Sequence, residues 1–154
     1  MIIVQMQAIV VIKIHDFSGL IDQTNISVAV DMVYELRNIA GGRLGMNLVS
    51  TCGDKIIGIL PEVSIAMEEA RHIMNILCPQ NSVGNISTRQ GVSCIPLSAA
   101  IGYGDLFQSV DGSYWGKEMN TVVSLSDDAG VREILLTNTA KRQLPQARQD
   151  VCEL

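Results

Sequence analysis

Hydrophobic and polar positions alternate along this chain in blocks whose period changes from strand to helix and back. Ala8 to Ile14 is dense in Val and Ile, the pattern of a central strand buried on both faces. Residues 16–24 read as a loop or early helix. Ala29, Val33, Leu36 and Ala40 then recur at helical spacing, and Gly41-Gly42 is expected to stop that helix. Leu44 to Val49 and Lys55 to Leu60 flank Gly53-Asp54 as two strands of a tight hairpin. Pro61-Glu62 opens the clearest helix, with Ala66, Ala70, Ile73 and Leu77 as its buried stripe and Cys78-Pro79 as its end.

The stretch from Gln80 to Gly91 is polar and reads as a connection. Strand character resumes over Val92 to Phe107, where Gly102 and Gly104 imply a bend or a close backbone approach. A turn over Asp111 to Gly116 precedes a helix over Lys117 to Ala129, with Met119, Val122 and Leu125 facing inward. Val131 to Thr137 reads as a strand, Thr139 to Leu144 as a short helix, and residues 145–154 as a polar tail. The order β-α-β-β-α-β-α-β predicts an α+β sandwich of ferredoxin-like kind, a mainly antiparallel sheet with helices on one face.

Composition narrows the class. With 154 residues, the chain suits a single domain spanning 1–154, its core at about 8–144. A net charge of −5 argues against nucleic acid or an anionic membrane as partner. The apolar start is too short and too polar to span a bilayer, and it lacks the features of a signal peptide. Cys52, Cys78, Cys94 and Cys152 show no Cys-x-x-Cys spacing, so reduced buried thiols and a cytoplasmic setting are expected.

The candidate chemistry sits where two strand ends meet. If the strand ending near Ile14 pairs with the hairpin, Asp16 and Asp54 fall at one end of the sheet, where two carboxylates could hold a divalent metal. Each has a plainer reading, Asp16 as a helix cap and Asp54 as a turn acid. Asn120 suits a solvated helix face, Trp115 suits packing, and His15 and His72 have no evident partners. Cys52 reads as a small buried hydrophobe, and Lys55 and Arg43 as solvated cations near the hairpin.

Taken in order, Asp16-Phe17-Ser18-Gly19-Leu20, Gly53-Asp54, Gly102-Tyr103-Gly104, Trp115-Gly116-x-x-Met119-Asn120, and Ser126-Asp127-Asp128-Ala129 followed by Glu133 to Thr137 resemble the class III nucleotidyl cyclase catalytic domain. The resemblance runs from about Val10 to about Leu144. It implies that Asp16 and Asp54 hold two Mg²⁺ or Mn²⁺ ions. It also implies that backbone N–H groups of Phe17, Ser18, Gly19 and Leu20 cradle phosphates, and that Asn120 orients the ribose. Sites would form between two chains, in a homodimer or a heterodimer, each converting a nucleoside triphosphate to a 3′,5′-cyclic nucleotide and pyrophosphate.

Three positions depart from that pattern. The purine-reading lysine and aspartate fall on Ser50 and Ser113, and the transition-state arginine falls on Ser124. Loss of such a cation costs roughly 10³–10⁵ in rate in related phosphoryl chemistry. Two readings therefore stand side by side: a divergent cyclase of altered base selectivity, or a degenerate cyclase-homology domain that senses nucleotide or dimerises. In a third variant, a different chain supplies the arginine.

Overall fold

A computed structural model describes residues 3–79 and 94–145. Expectations that fall on residues 80–93 and 146–154, the polar connection and most of the tail, lie outside the described residues. The elements are β1 (Ile3–Ile14), α1 (Phe17–Gln23), α2 (Ile26–Leu44), β2 (Leu48–Cys52), β3 (Lys55–Leu60), α3 (Val63–Leu77), β4 (Leu97–Gln108), β5 (Tyr114–Trp115), α4 (Lys117–Ser126), β6 (Ile134–Leu136) and α5 (Asn138–Lys141). The sheet runs β2-β3-β1-β4-β5, with β6 parallel to β4 and the other pairs antiparallel. This is the expected α+β architecture.

The Val and Ile of β1 are buried on both faces because each face carries its own cover. Ala8, Val10, Ile12 and Ile14 join the larger core, with residues of α1, α2, α3 and α5. Ile9 and Val11 join a smaller one, closed by Val122 of α4 with Met119 and Leu125 at its margin. The helices therefore lie mainly on one face, and α4 covers the other.

That cover depends on two glycines. A Cβ on Gly102 would lie 2.2 Å from Val122 Cγ2, and one on Gly104 would lie 2.9 Å from Glu118 Cβ. Strand and helix meet at a distance that a side chain would prevent.

Several expectations need correction. The helix expected to stop at Gly41-Gly42 continues to Leu44 and ends at Gly45, whose φ of 56° takes the left-handed conformation. The first hairpin strand accordingly begins at Leu48 rather than Leu44. Two cysteines are not thiols: Cys78, which caps α3, is joined to Cys94, which leads into β4. Ile95 N–H also donates to Leu77 O at 2.8 Å, so the returning chain is laid against the helix end and brings the two sulfurs together. This bond removes the support that four thiols gave to a reducing compartment. Cys52 is a thiol, but exposed rather than buried. Among the described residues, no helix is long and apolar enough to cross a membrane.

Candidate functional site

Strand pairing brings the Gly53-Asp54 turn to the end of β1, two residues before Asp16. Ile14 N–H, at the end of β1, donates to Asp54 O at 3.0 Å, tying the hairpin turn to the segment that leads into Asp16. Gly53 turns the hairpin with φ of 57°, and Arg37 Nη2 from α2 donates to Gly53 O at 3.0 Å. Asp54 is half-buried and Asp16 exposed.

Asp16 has φ of 48° and ψ of 55°, a left-handed conformation rare outside glycine, and it caps α1. Its Oδ1 accepts from Gly19 N–H at 3.3 Å. A Cβ on Gly19 would lie 2.3 Å from Asp16 Oδ2, so only glycine leaves room for the carboxylate. Leu20 N–H donates to Asp16 O at 3.0 Å, and the Leu20 side chain belongs to the core. With the Gly19 and Leu20 N–H groups spent inside the turn, Phe17 and Ser18 carry the ones left at the helix start.

Hard oxygen donors in this number suit Mg²⁺ or Mn²⁺, which take one or two carboxylates and keep several waters. Among the described residues, no group of three or more His, Cys, Asp or Glu side chains is placed to hold a metal. The described residues thus offer no all-protein cage, and an ion held by two carboxylates would need water or ligand oxygens to complete its shell.

The other expected residues fall into separate places. Ser50 and Ser113 line one cavity of about 250 Å³, with Val49, Ile57, Tyr114 and Met119. Asp111 shapes that wall. Its carboxylate accepts from Ser109 Oγ and, at 2.9 Å, from Ser113 N–H, and these bonds hold its pKa down at about 2. Asn120 and Ser124 lie exposed on α4, one turn apart. Ser124 opens onto another cleft, bordered by Thr121, Leu136 and Asn138. Neither cavity is lined by Asp16 or Asp54. One chain thus presents a carboxylate corner, a serine-walled pocket and an exposed Asn120 helix face as distinct surfaces.

Sequence reasoning passed over an ion cluster beside the corner. Lys13 of β1 and Lys55 of β3 reach Asp127 at the end of α4, at 2.8 and 3.9 Å. The hydrogen bond from Lys13, followed by the nearby positive charges, lowers the Asp127 pKa. The available signal was Lys13 itself, a cation in the Val- and Ile-rich run from Ala8 to Ile14. Arg43 is paired with Glu69 through two 3.0 Å bonds, so its charge is already engaged.

Solved structures share this arrangement of elements. The catalytic core of a rhodopsin-guanylyl cyclase with converted specificity, in complex with ATPalphaS, is 16% identical, with a TM-score of 0.72, over 94% of this chain and 84% of that one. The fold is that of the class III cyclase catalytic domain. The guanylate cyclase domain of RhGC from Catenaria anguillulae, in complex with GTP, matches at a TM-score of 0.69 and 16% identity, over 92% of this chain and 83% of that one. A bacterial light-regulated adenylyl cyclase gives a TM-score of 0.74 at 15% identity, over 94% of this chain, which spans just under half (46%) of that longer protein. No protein-family model and no curated protein sequence matches the chain. At these identities the likeness is one of fold.

Proposed function

We propose that this chain is a divergent nucleotidyl cyclase domain that takes a nucleoside triphosphate to a 3′,5′-cyclic nucleotide and pyrophosphate. The observation that supports the reading is the bond from Ile14 N–H to Asp54 O, which ties the turn carrying Asp54 to the segment that leads into Asp16, on a cyclase fold. A dimerisation module has no need to keep two acids, Asp16 and Asp54, at one end of the sheet.

Asp16 and Asp54 would hold Mg²⁺ or Mn²⁺, and the bound ions would supply charge neutralisation at the phosphates and a more acidic 3′-hydroxyl. The N–H groups of Phe17 and Ser18 would bind phosphate oxygens. Ser50 and Ser113, neutral hydroxyls in one pocket, would accept a base without the charged pair that reads purines, which favours a pyrimidine. Asn120 would orient the ribose from the second chain of a homodimer or heterodimer. The cytoplasm, where nucleoside triphosphates abound, is the setting this substrate requires. The Cys78–Cys94 bond, 1% and 3% exposed, is sheltered there from soluble thiols.

One observation favours a second reading, that of a nucleotide sensor without turnover: Ser124 stands where an arginine would stabilise the reacting phosphate. Incubation with Mn²⁺ and each of the four nucleoside triphosphates, followed by chromatography, separates the two. Cyclic nucleotide that disappears in Asp54→Ala is the expected result. Metal-dependent nucleotide binding with no product selects the sensor, and the absence of both overturns the two readings together.

A further inference from the structure

We propose that Lys55, with Lys13 behind it, binds the oligophosphate chain at the Asp16–Asp54 corner and supplies positive charge that Ser124 does not. The inference rests on the nucleotide reading above, and it concerns residues to which that reading gives no role.

Lys13 and Lys55 are direct partners across the β1–β3 ladder, flanked on the same face by Val11 and Ile57 of the smaller core. Like charges placed opposite one another destabilise a sheet unless something lies between them. What lies between them is Asp127. It follows the last turn of α4, where the helix dipole disfavours an anion, so the lysines hold it there. One carboxylate between two ammonium groups leaves an unbalanced positive charge.

That surplus sits on Lys55. Lys13 lies 2.8 Å from Asp127 and its side chain is 14% exposed, whereas Lys55 lies 3.9 Å away, too far for a hydrogen bond, and is 28% exposed. Lys55 is covalently next to Asp54. Its ammonium group has donors to spend on an anion arriving at the corner. Of the other cations nearby, Arg43 is paired with Glu69, while Arg37 donates to Gly53 O from behind the turn and has a buried Nε without a hydrogen-bond partner.

A chain of linked phosphates carries more charge than Asp127 and competes for Lys55, while Asp127 stays with Lys13. Removal of Asp127 should therefore strengthen anion binding. A lysine that merely holds the fold predicts the opposite.

Calorimetric titration of the full chain with inorganic tripolyphosphate, pyrophosphate and a nucleoside triphosphate, each without metal and with Mn²⁺, tests this. Lys55→Gln should weaken metal-free tripolyphosphate binding about tenfold, as loss of one charge-assisted hydrogen bond does. Lys55→Arg should restore it, and Asp127→Asn should tighten it. Unchanged affinity in Lys55→Gln, or weaker binding in a folded Asp127→Asn, overturns the proposal. Equal affinities for pyrophosphate and nucleotide would place the occupant's recognition in the phosphates alone. Tighter nucleotide binding would place part of it in the nucleoside, with Lys55 still on the phosphates. Asp54→Ala should remove only the Mn²⁺-dependent gain. If that arm fails while the Lys55 arm holds, the metal reading falls and the anion site stands; the reverse result sinks the anion site alone.

Discussion

At the scale of single residues, Gly19 is the sharpest probe of whether the corner is built for metal. In Gly19→Ala the new methyl meets Asp16 Oδ2 at 2.3 Å, so the carboxylate must swing away and its bond to Gly19 N–H is lost. The lost cap costs about 1 kcal/mol of stability. If Asp16 binds metal from its present position, Mn²⁺ affinity, followed by electron paramagnetic resonance, should fall several-fold as well. A stability loss with unchanged Mn²⁺ affinity would make Asp16 a cap and nothing more. Asp16 was legible as a cap because that interaction is local, three residues along the chain, whereas the room Gly19 makes for its carboxylate shows only in the folded turn. The Lys13–Asp127 pair spans 114 residues and depends on how α4 crosses the sheet, which no local pattern encodes.

Among elements, the contact of α4 with β4 decides where the exposed face of that helix points. Gly102→Ala places a methyl 2.2 Å from Val122 Cγ2 and 2.8 Å from Glu118 Oε1, so helix and strand must separate. Overpacking of this kind costs roughly 1–3 kcal/mol, and the melting temperature should drop accordingly. Val122→Ala in the same chain should recover part of the loss by vacating the space; a double variant no more stable than Gly102→Ala would contradict the packing account. The close approach was readable from two glycines in a strand. The end of α2 was not, because Gly41 and Gly42 both have open space around them and tolerate helical geometry, while the positive φ falls at Gly45. Glycine composition marks where a helix can stop, and the position that must turn is set by the hairpin that follows.

The whole molecule leaves its carboxylate corner and its Asn120 on separate surfaces, which makes sense of the fold if two chains pair. An apolar stripe is available for that contact. Val4, Met6, Phe107 and Trp115 are 52, 49, 42 and 63% exposed. The β1–β4 and β4–β5 registers put Val4 opposite Phe107 and Phe107 opposite Trp115. If the chains pair through this stripe, Phe107→Asp should shift sedimentation towards the monomer. Complementation gives the more demanding test. If each site joins Asp16 and Asp54 of one chain to Asn120 of the other, Asp54→Ala and Asn120→Ala are each inactive alone. In their mixed dimer, both lesions fall in one site and the second is intact. Random pairing makes half the dimers mixed, each with one working site, so equimolar mixing should restore about a quarter of wild-type cyclic nucleotide formation. Phe107→Asp in both chains should abolish that recovery. No recovery from mixed chains shown to exchange would mean that the corner and Asn120 do not act in one site across the interface.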